Sequence, residues 1–360
     1  MTLNRSYSLT HSPIDFVFSQ NSRDFVVEEV PLYDFSNSGE HLILKIRKKG
    51  LSTWEMLEFL STHTGVKIRD FGCAGLKDKE ALTYQYISVN KKFQNKIESF
   101  SHDQIKIIET TLHNNKIKKG HLKGNKFFIR LKKVLPLSAD KIFNAVEKIK
   151  EQGVANYFGY QRFGNDDDNH MQGKQILEGN LKIRNPTIKT FLINAYQSHL
   201  FNSWLSKRVE LSHLINNFEP KEIVKEASGI DVKTLGELKN QKHFFKILKG
   251  DVISHYPHGK IFYAEDADEE AKRFFLKNTV PTGLLSGKKT KKAIDDALIF
   301  EKEFDTIDSL DGDRRFAWIF PENFQCTYKE NEAWFEIGFF LPKGSYATNV
   351  IQEIAKREIK

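Results

Sequence analysis

Apolar and polar residues alternate in several short runs along this chain of 360 residues. Residues 24–30 (DFVVEEV) alternate, and residues 41–50 (HLILKIRKKG) place Leu42, Leu44 and Ile46 on one face. An alternation of period two indicates a half-buried β-strand. Further strands are predicted at TYQYISV (83–89), KFFIRLKKV (126–134) and WFEIGFFL (334–341).

Helices are predicted where apolar residues recur every three to four positions. Ser52 and Glu55 form a capping-box pattern before one such run, and Gly65 is its stop signal. Ser138 is the predicted cap of a second helix, which closes at Gly153. The other predicted helices run from Thr187 to about Glu210 and through Ala347, Val350, Ile351 and Ile354. Strands at both ends of the chain and a helical middle indicate an α+β domain that carries an insertion.

Composition places the chain among globular proteins of one or two domains. Hydrophobic residues make up 39% and charged residues 28%, so a core can form without disulfide or metal staples. The net charge is +8 and the pI is about 9.1. A basic balance favours polyanionic partners such as nucleic acid, although a basic surface without such a partner fits the composition equally well.

The cysteine pattern indicates a reducing compartment. Cys73 and Cys326 lie far apart, and no Cys/His spacing typical of a zinc site is present in the sequence. The first residues contain no apolar signal region, and no apolar run is long enough to span a bilayer. We therefore expect a cytoplasmic protein without structural zinc.

Residues 72–79 (GCAGLKDK) form the segment whose side chains are best suited to catalysis. It places Asp78 between Lys77 and Lys79 on a glycine-flanked loop that precedes a strand. Neighbouring lysines favour the ionised carboxylate, which a nucleophilic aspartate requires. The same pattern is typical of a solvated turn, so by itself it does not decide between the two.

A basic stretch covers residues 116–133 (KIKKGHLKGNKFFIRLKK). It holds eight lysines and arginines and no acidic residue, with Phe127 and Phe128 between them. Lysines bind phosphates and an aromatic ring can stack on an unpaired base, so the stretch favours contact with nucleic acid. The alternative is that both rings lie in the core and the lysines are only solvated.

Two aromatic segments leave their role open. Residues 156–164 (NYFGYQRFG) carry Arg162 and are suited either to an RNA groove or to a packing corner. Residues 340–348 (FLPKGSYAT) predict a strand end and a helix start near Ser345. The helix start could bind an anion, and Tyr346 could stack on a base, but an ordinary turn also fits.

Other motifs give weaker signals. Residues 283–290 resemble a phosphate loop but have one residue too few between the glycines. Three consecutive acids at 166–168 could hold Mg²⁺, although acidic triplets are usually solvated loops. The sequence shows no serine-hydrolase or dinucleotide motif.

Together the segments resemble the TruD family of tRNA pseudouridine synthases, in that family's order and spacing from the first strand to the last helix. The matching segments are DFVVEE (24–29), AGLKDKEALTYQ (74–85), KGNKF (123–127), NYFGYQRFG (156–164), NAYQSHLFN (194–202), RRFAW (314–318) and FFLPKGSYAT (339–348). None is decisive alone, but the ordered set is specific.

The resemblance implies an isomerase, an intramolecular transferase that converts uridine to pseudouridine, usually at position 13 of tRNA. It implies that Asp78 is the catalytic nucleophile, attacking either the sugar C1′ or the uracil ring. Phe25, Asn125 and Tyr346 match positions that contact the target uridine, and Phe127 matches an aromatic residue beside the active site. The expected phosphate contacts are Lys116, Lys118, Lys119, Lys123, Lys126 and Arg162.

One departure concerns the cation that faces Asp78. The family often has a lysine before its Asp-Phe strand, whereas this chain has Ser19 there. Arg23, Lys77 or another basic residue is then expected to take the electrostatic role.

The resemblance also implies the architecture and the partners. It predicts a discontinuous catalytic domain (1–153 and 308–360) with a mixed, mainly antiparallel sheet, and an inserted α/β TRUD domain (154–307). The expected partner is tRNA, bound by a monomer without an obligatory protein partner, a metal or another cofactor. Two rivals are an inactive RNA-binding protein of the same fold and a Mg²⁺-dependent nuclease that uses residues 166–168.

Overall fold

A computed structural model of the chain describes residues 5–164, 166–227 and 229–359. The strands are β1 (Phe25–Pro31), β2 (His41–Lys48), β3 (Gly72–Cys73), β4 (Leu82–Asn90), β5 (Ile105–His113), β6 (Leu122–Lys132), β7 (Val154–Ala155), β8 (Val252–His255), β9 (Ile261–Tyr263), β10 (Thr279–Leu285), β11 (Asp313–Phe316), β12 (Trp318–Ile319), β13 (Glu322–Lys329) and β14 (Trp334–Pro342). The helices are α1 (Thr53–Thr64), α2 (Gln94–Glu98), α3 (Pro136–Gln152), α4 (Asn169–Leu177), α5 (Pro186–Asn217), α6 (Pro220–Ile223), α7 (Val232–Asn240), α8 (Ala267–Phe275), α9 (Asp295–Glu301) and α10 (Ala347–Ala355).

The chain forms two compact units, each discontinuous in sequence. We call them the sheet unit (Ile14–Asn144 and Pro321–Gly344) and the α/β unit (Met1–Pro13, Ala145–Phe320 and Ser345–Lys360). These bounds differ from those of the domains expected from the resemblance, 1–153 with 308–360 and 154–307. The domain assignment itself therefore stays a prediction.

A mixed sheet of eight strands forms the sheet unit. Its order is β13-β14-β6-β1-β4-β2-β5, and β3 pairs with β4. Only β1 and β4 run parallel among these pairings, and the other neighbours are antiparallel. The prediction of an α+β fold with a mixed, mainly antiparallel sheet is confirmed.

Helix α1 packs its apolar side on one face of this sheet. Met56, Leu57 and Leu60 of α1 share a buried cluster with Leu44 and Ile46 of β2. Burying such side chains stabilises the fold by roughly 1.5–3 kcal/mol each.

The ends of α1 are those that the sequence predicts. Ser52 Oγ accepts from the Glu55 N–H (3.2 Å), and Glu55 Oε2 accepts from the Ser52 N–H (2.6 Å). Gly65 ends the helix at a φ of 74°, a left-handed conformation that favours glycine. The cap at Ser52 therefore fixes where the chain leaves β2 and enters α1.

In the α/β unit, the long helix α5 packs against a small sheet of order β11-β10-β8-β9. Trp204 and Phe201 of α5 lie so close to Gly283 that a Cβ at Gly283 would come within 2.3 Å of Trp204. The buried Arg208 side chain binds Asp251 through two hydrogen bonds of 2.7 and 2.8 Å. Large aromatic residues thus form much of this core, and the buried pair of Arg208 and Asp251 lies beside them.

Two helix bounds differ from the prediction. Helix α5 continues seven residues beyond Glu210, because Leu211, Leu214 and Ile215 extend its apolar stripe and no proline follows before Pro220. Helix α3 begins at Pro136 rather than after Ser138, since proline is well suited to the first turn of a helix. Of the helices described, none has the length and apolarity required to cross a membrane.

Candidate active site

Strand register aligns five side chains in a row on one face of the sheet. Lys48 lies opposite Thr83, Thr83 beside Val27, Val27 opposite Phe127, and Phe127 opposite Phe339. Directly paired residues project their side chains to the same face. A lysine at the end of β2 therefore shares a face with the aromatic residues of β6 and β14.

Two residues along, the same face carries a polar row. Glu29 of β1 is paired with Asn125 of β6, each two positions from Val27 and Phe127. Glu29 is almost completely buried, and burial raises the pKa of its carboxyl group although Lys77 opposes that effect. A buried acid of this kind requires a charged or hydrogen-bonding partner.

Lys77 supplies that partner from the loop between β3 and β4, residues 74–81. Its Nζ lies 2.9 Å from Glu29 Oε2 and donates to Asn125 Oδ1 at 2.5 Å. An ammonium group only donates, so it binds the oxygen of the amide and leaves the NH₂ group of Asn125 for another acceptor. Lys77 thus fixes the loop to the sheet and orients Asn125.

Lys48 holds the same loop at the next residue. Its fully buried side chain donates from Nζ to the backbone oxygens of Leu51 (2.6 Å) and Asp78 (3.0 Å). Burial lowers the pKa of Lys48 to about 8, while the carboxylates of Asp78 and Glu55 act in the opposite direction. A buried cation therefore lies within electrostatic reach of the Asp78 side chain.

Further hydrogen bonds tie the loop to α1 and β4. Thr53 Oγ1 accepts from the Lys77 N–H (3.0 Å) and donates to Gln85 Oε1 (3.1 Å). Gln85 Nε2 donates to the Gly75 oxygen at 3.3 Å. The capping box places Thr53 at the start of α1, so a local sequence signal positions the loop.

The carboxylate of Asp78 is on an exposed residue of this anchored loop. Of its two neighbouring lysines, Lys77 binds Glu29 and Asn125, and Lys79 forms an exposed pair with Glu55 at 2.8 Å. Hydrogen bonding to Lys79 and Ser52 lowers the pKa of Glu55 to about 2. Arg23 is exposed, and the Ser19 hydroxyl accepts from Asn21 Nδ2 at 3.0 Å. The role of Arg23 and Lys77 as partners of Asp78 stays a prediction.

Stacked phenylalanines lie in the sheet beside the polar row. The rings of Phe25 and Phe127 are parallel within 20° at 6.1 Å, and Phe339 contacts Phe127 at 5.7 Å. Phe25 is 2% exposed and Phe127 9%. Phe127 is therefore the more accessible of the two predicted uridine contacts.

The predicted phosphate contacts on the basic stretch are mostly exposed. Lys118, Lys119, Lys123 and Lys126 are exposed, and Lys116 donates to the Arg69 oxygen at 2.9 Å. None of these five forms an ion pair with a carboxylate within the described part of the chain.

Two cations of the basic stretch, Arg130 and Lys132, are paired with acidic residues from outside it. Lys132 Nζ lies 2.5 Å from Asp24 Oδ2, and Arg130 Nη2 lies 2.9 Å from Glu336 Oε1. The acids come from elsewhere in the unit, where sequence proximity could not reveal them.

Tyr346 and Arg162 belong to the α/β unit. Tyr346 is the half-buried residue before α10, and its ring lies 6.3 Å from that of Phe158. Arg162 ends a short turn at Tyr160–Arg162, where its Nε donates to Ser198 Oγ (3.1 Å). Tyr346 and Arg162 therefore lie in the same unit, and their contact with RNA stays a prediction.

Sequence reasoning missed Lys48 and Glu29. The signal for Lys48 was present, because the alternation of Leu42, Leu44 and Ile46 places residue 48 on the buried face. Glu29 has the same signal, two positions after Val27. A charged residue on a buried face requires a partner, and here both partners belong to the Asp78 loop or bind it.

Across residues 5–164, 166–227 and 229–359, no three His, Cys, Asp or Glu side chains are grouped as metal ligands. In the acidic triplet, Asp168 Oδ2 accepts from Gln172 Nε2 at 2.7 Å.

The matches to known proteins cover almost the whole chain. A family model described as tRNA pseudouridine synthase D (TruD) matches residues 3–184 and 181–354. The tRNA pseudouridine synthase D of a Nitratiruptor species is 56% identical over 359 residues, which cover 99% of each protein. That of Wolinella succinogenes is 54% identical over 359 residues, again 99% of each.

A solved structure agrees at the level of the fold. A crystal structure assigned to TruD from Methanosarcina mazei aligns with a TM-score of 0.69 at 21% identity, over 98% of this chain and 96% of that one. The extent of the family match and the identity to full-length relatives lead to one conclusion: this chain belongs to the tRNA pseudouridine synthase D (TruD) family.

Proposed function

We propose that this chain isomerises uridine to pseudouridine in tRNA, at position 13, with Asp78 as the nucleophile. The observation that carries the proposal is the exposed Asp78, on a loop that two buried lysine side chains bind to the face bearing Asn125 and Phe127. Family membership supports the reaction, since the relatives are named tRNA pseudouridine synthases. Position 13 and the role of Asp78 come from the resemblance of the motifs.

The isomerisation conserves atoms and electrons. The bond between uracil N1 and ribose C1′ breaks, uracil rotates, and a bond forms between C5 and C1′. The proton of C5 is lost and N1 gains one. Asp78 would attack either C1′ or the uracil ring and leave again. No oxidant, reductant or nucleotide is consumed, so we expect no cofactor.

The two lysines act through the residues that they hold. Lys48 is a positioning residue, because it binds the Asp78 backbone oxygen and brings a positive charge toward the carboxylate. Lys77 orients Asn125, whose NH₂ group can donate to a carbonyl oxygen of uracil. We propose that Lys48 takes the electrostatic role for which the sequence offered Arg23, Lys77 or another basic residue, since Ser19 stands where the family's lysine is expected.

The target base lies in a folded RNA and must leave its stack, at a cost of roughly a few kcal/mol. Stacking on an aromatic ring contributes about 1–3 kcal/mol per base and offsets much of that cost. We propose that Phe127, which Phe25 supports from below, is a substrate contact of the sheet unit. Tyr346 is proposed as a substrate contact of the α/β unit. Holding the detached uracil beside C1′ then favours its return, since proximity replaces diffusion.

The exposed lysines at 118, 119, 123 and 126, with Lys116 and Arg162, are proposed to bind the phosphates of tRNA. The four lysines are exposed, and none of the six residues has a carboxylate partner among the described residues. We further propose that the protein acts as a cytoplasmic monomer without an obligatory protein partner, and light scattering of the purified protein tests the monomer.

The test is to incubate the purified protein with unmodified tRNA transcripts and to map pseudouridine at nucleotide resolution. We expect a single modified position, 13, in the presence or absence of a chelator. Pseudouridine at other positions only would overturn the assignment of position 13.

Matched variants test the nucleophile. Asp78→Asn is expected to form no pseudouridine, whereas Asp103→Asn, an exposed acid of the same unit, should be as active as wild type. Cleavage of the RNA that a chelator abolishes would instead support the nuclease alternative, and binding without any conversion would support the inactive RNA-binding protein.

A further inference from the structure

Two neighbouring arginines of the α/β unit have no carboxylate partner among the described residues. Arg315 is half-buried on β11, where its Nε and Nη2 donate to the Asn156 backbone oxygen at 3.2 and 3.1 Å. Nη2 also donates to Asn156 Oδ1 at 3.0 Å. Arg162 donates from Nε to Ser198 Oγ. Within the residues that the structure describes, neither guanidinium forms an ion pair.

The adjacent arginine, in contrast, is paired with a carboxylate. Arg314, one position earlier on β11, binds Glu301 Oε2 at 2.7 Å, and both side chains are at most 4% exposed. Arg208 likewise binds Asp251. Arg315 projects to the other face of β11, where amide oxygens and aromatic rings take the place of a carboxylate.

One aromatic ring lies near both guanidinium groups. The Phe158 ring lies 3.9 Å from the guanidinium carbon of Arg315 and 5.7 Å from that of Arg162. The Tyr346 ring lies 5.9 Å from the same atom of Arg315. Stacking on a ring fixes the plane of a guanidinium and leaves its N–H edge for an anion.

The electrostatics of the pair favour a bound anion. Burial lowers the pKa of Arg315 to about 10, and the positive charge of Arg162 acts in the same direction, while the phenol of Tyr346 opposes both. Burial also lowers the pKa of Arg162. Two like charges held near each other without a counter-charge are unfavourable until an anion binds.

We propose that Arg315 and Arg162 form a binding site for one RNA phosphodiester, adjacent to the base that Tyr346 contacts. The two terminal nitrogens of Arg162 can bind two phosphate oxygens as a planar fork. Nη1 of Arg315 adds a further donor, since its Nε and Nη2 already donate to Asn156. The site rests on the proposed function, because the phosphate is that of the target nucleotide or its neighbour. It explains why the segments 156–164 and 314–318 combine arginine with aromatic residues.

The experiment uses the full-length protein and tRNA in which one phosphate is a neutral methylphosphonate. One set carries it on the 5′ side of the target uridine, one on the 3′ side and one at a distant stem position. For wild type, we expect one of the two flanking substitutions to lower kcat/KM by about 10- to 100-fold, the loss of charged hydrogen bonds. The distant substitution should change kcat/KM by less than about threefold.

Arg315→Gln and Arg162→Gln are then measured on the same RNAs, with Arg184→Gln, an exposed arginine of the same unit, as control. On natural tRNA, each variant should have a kcat/KM about 10- to 100-fold below that of wild type. On the sensitive methylphosphonate RNA, variant and wild type should have nearly the same kcat/KM, because the contact is already absent. The control should behave as wild type does. Losses that multiply would show that the arginines do not bind that phosphate and would overturn the proposal.

A binding measurement separates this inference from the proposed function. The slope of log Kd for tRNA against log salt should fall by roughly 0.8 in Arg315→Gln and not in Arg184→Gln. If wild type forms no pseudouridine, the proposed function fails, yet the slope still tests the phosphate site. If thermal unfolding shows that Arg315→Gln does not fold, Arg315→Lys is used instead, because it keeps the charge but loses the planar guanidinium that stacks on Phe158. If the methylphosphonate substitution lowers kcat/KM of Arg315→Lys as much as that of wild type, the result contradicts the site.

Discussion

A substitution at Lys48 should lower the activity of the protein much more than its stability. The side chain is completely buried, and its two hydrogen bonds reach the Leu51 and Asp78 oxygens. Lys48→Met keeps the length and the apolar stem but removes the charge and both donors. We expect this variant to fold and to lose most of its activity.

The magnitude follows from two opposing contributions. A pKa lowered from 10.5 to about 8 means that the protein stabilises the ammonium of Lys48 less than water does, by about 3 kcal/mol. Two hydrogen bonds from a charged donor contribute about 1.5–3 kcal/mol each. The contributions partly cancel, so the free energy of unfolding should change by no more than about 3 kcal/mol. The loss of a positioned charge at the nucleophile should lower kcat by about 10²–10³-fold.

The pH dependence has a definite sign. With a pKa of about 8, Lys48 is protonated at neutral pH and loses its charge above pH 8. Activity that depends on this charge is therefore present below pH 8 and falls about tenfold per pH unit above it. Between pH 8 and 10.5 the unfolded chain binds more protons at this residue than the folded chain, so stability rises with pH relative to Lys48→Met. The charged groups facing Lys48 are Asp78, Glu55 and Lys77.

The assay is single-turnover pseudouridine formation from about pH 6 to 10, with urea unfolding of each protein. Lys45→Met is the matched control, because Lys45 lies on the same strand but on the opposite face, where it pairs with Glu28. Lys48→Arg should keep activity at about pH 9, since a guanidinium stays charged. Wild-type kcat in Lys48→Met, or an alkaline limb that is unchanged in Lys48→Arg, would refute the role of Lys48.

Three further predictions concern the substrate contacts and the fold. Asn125→Ala and Lys77→Met should each lower kcat/KM for tRNA by about 10- to 100-fold, and the double variant should lose less than the product because one residue orients the other. Alanine at Lys118, Lys119, Lys123 or Lys126 should reduce the salt slope of tRNA binding by roughly 0.8 each, while Lys92→Ala should leave it unchanged. Gly283→Ala should lower the melting temperature much more than Ser52→Ala, because it forces a Cβ to within 2.3 Å of Trp204, whereas loss of the cap costs about 1 kcal/mol.

Local signals explain what the sequence could predict. The capping box at Ser52 and Glu55 and the alternation at residues 41–50 depend on neighbouring residues, and both are confirmed. The Asp78 loop was singled out for its composition. The hydrogen bonds that hold this loop cannot be predicted from local pattern, because the partners lie far apart in sequence. Lys77 and Asn125, for example, are 48 positions apart along the chain.

Charge partners were the least predictable feature. Lys132 and Asp24 are separated by 108 residues, so a stretch that looks uniformly basic is partly neutralised. Arg314 and Arg315 look equivalent in sequence, yet β11 directs one to Glu301 and the other to aromatic rings. Strand register decides both outcomes, and register is set by long-range pairing rather than by local pattern.

The central claim is that Asp78 is the nucleophile, and single-turnover conversion of tRNA by Asp78→Asn tests it most directly. The tRNA is present below the protein concentration, and its binding is measured in parallel. The account predicts binding near that of wild type and no pseudouridine at position 13 after many wild-type half-lives. Conversion by Asp78→Asn at a rate near that of wild type would contradict it.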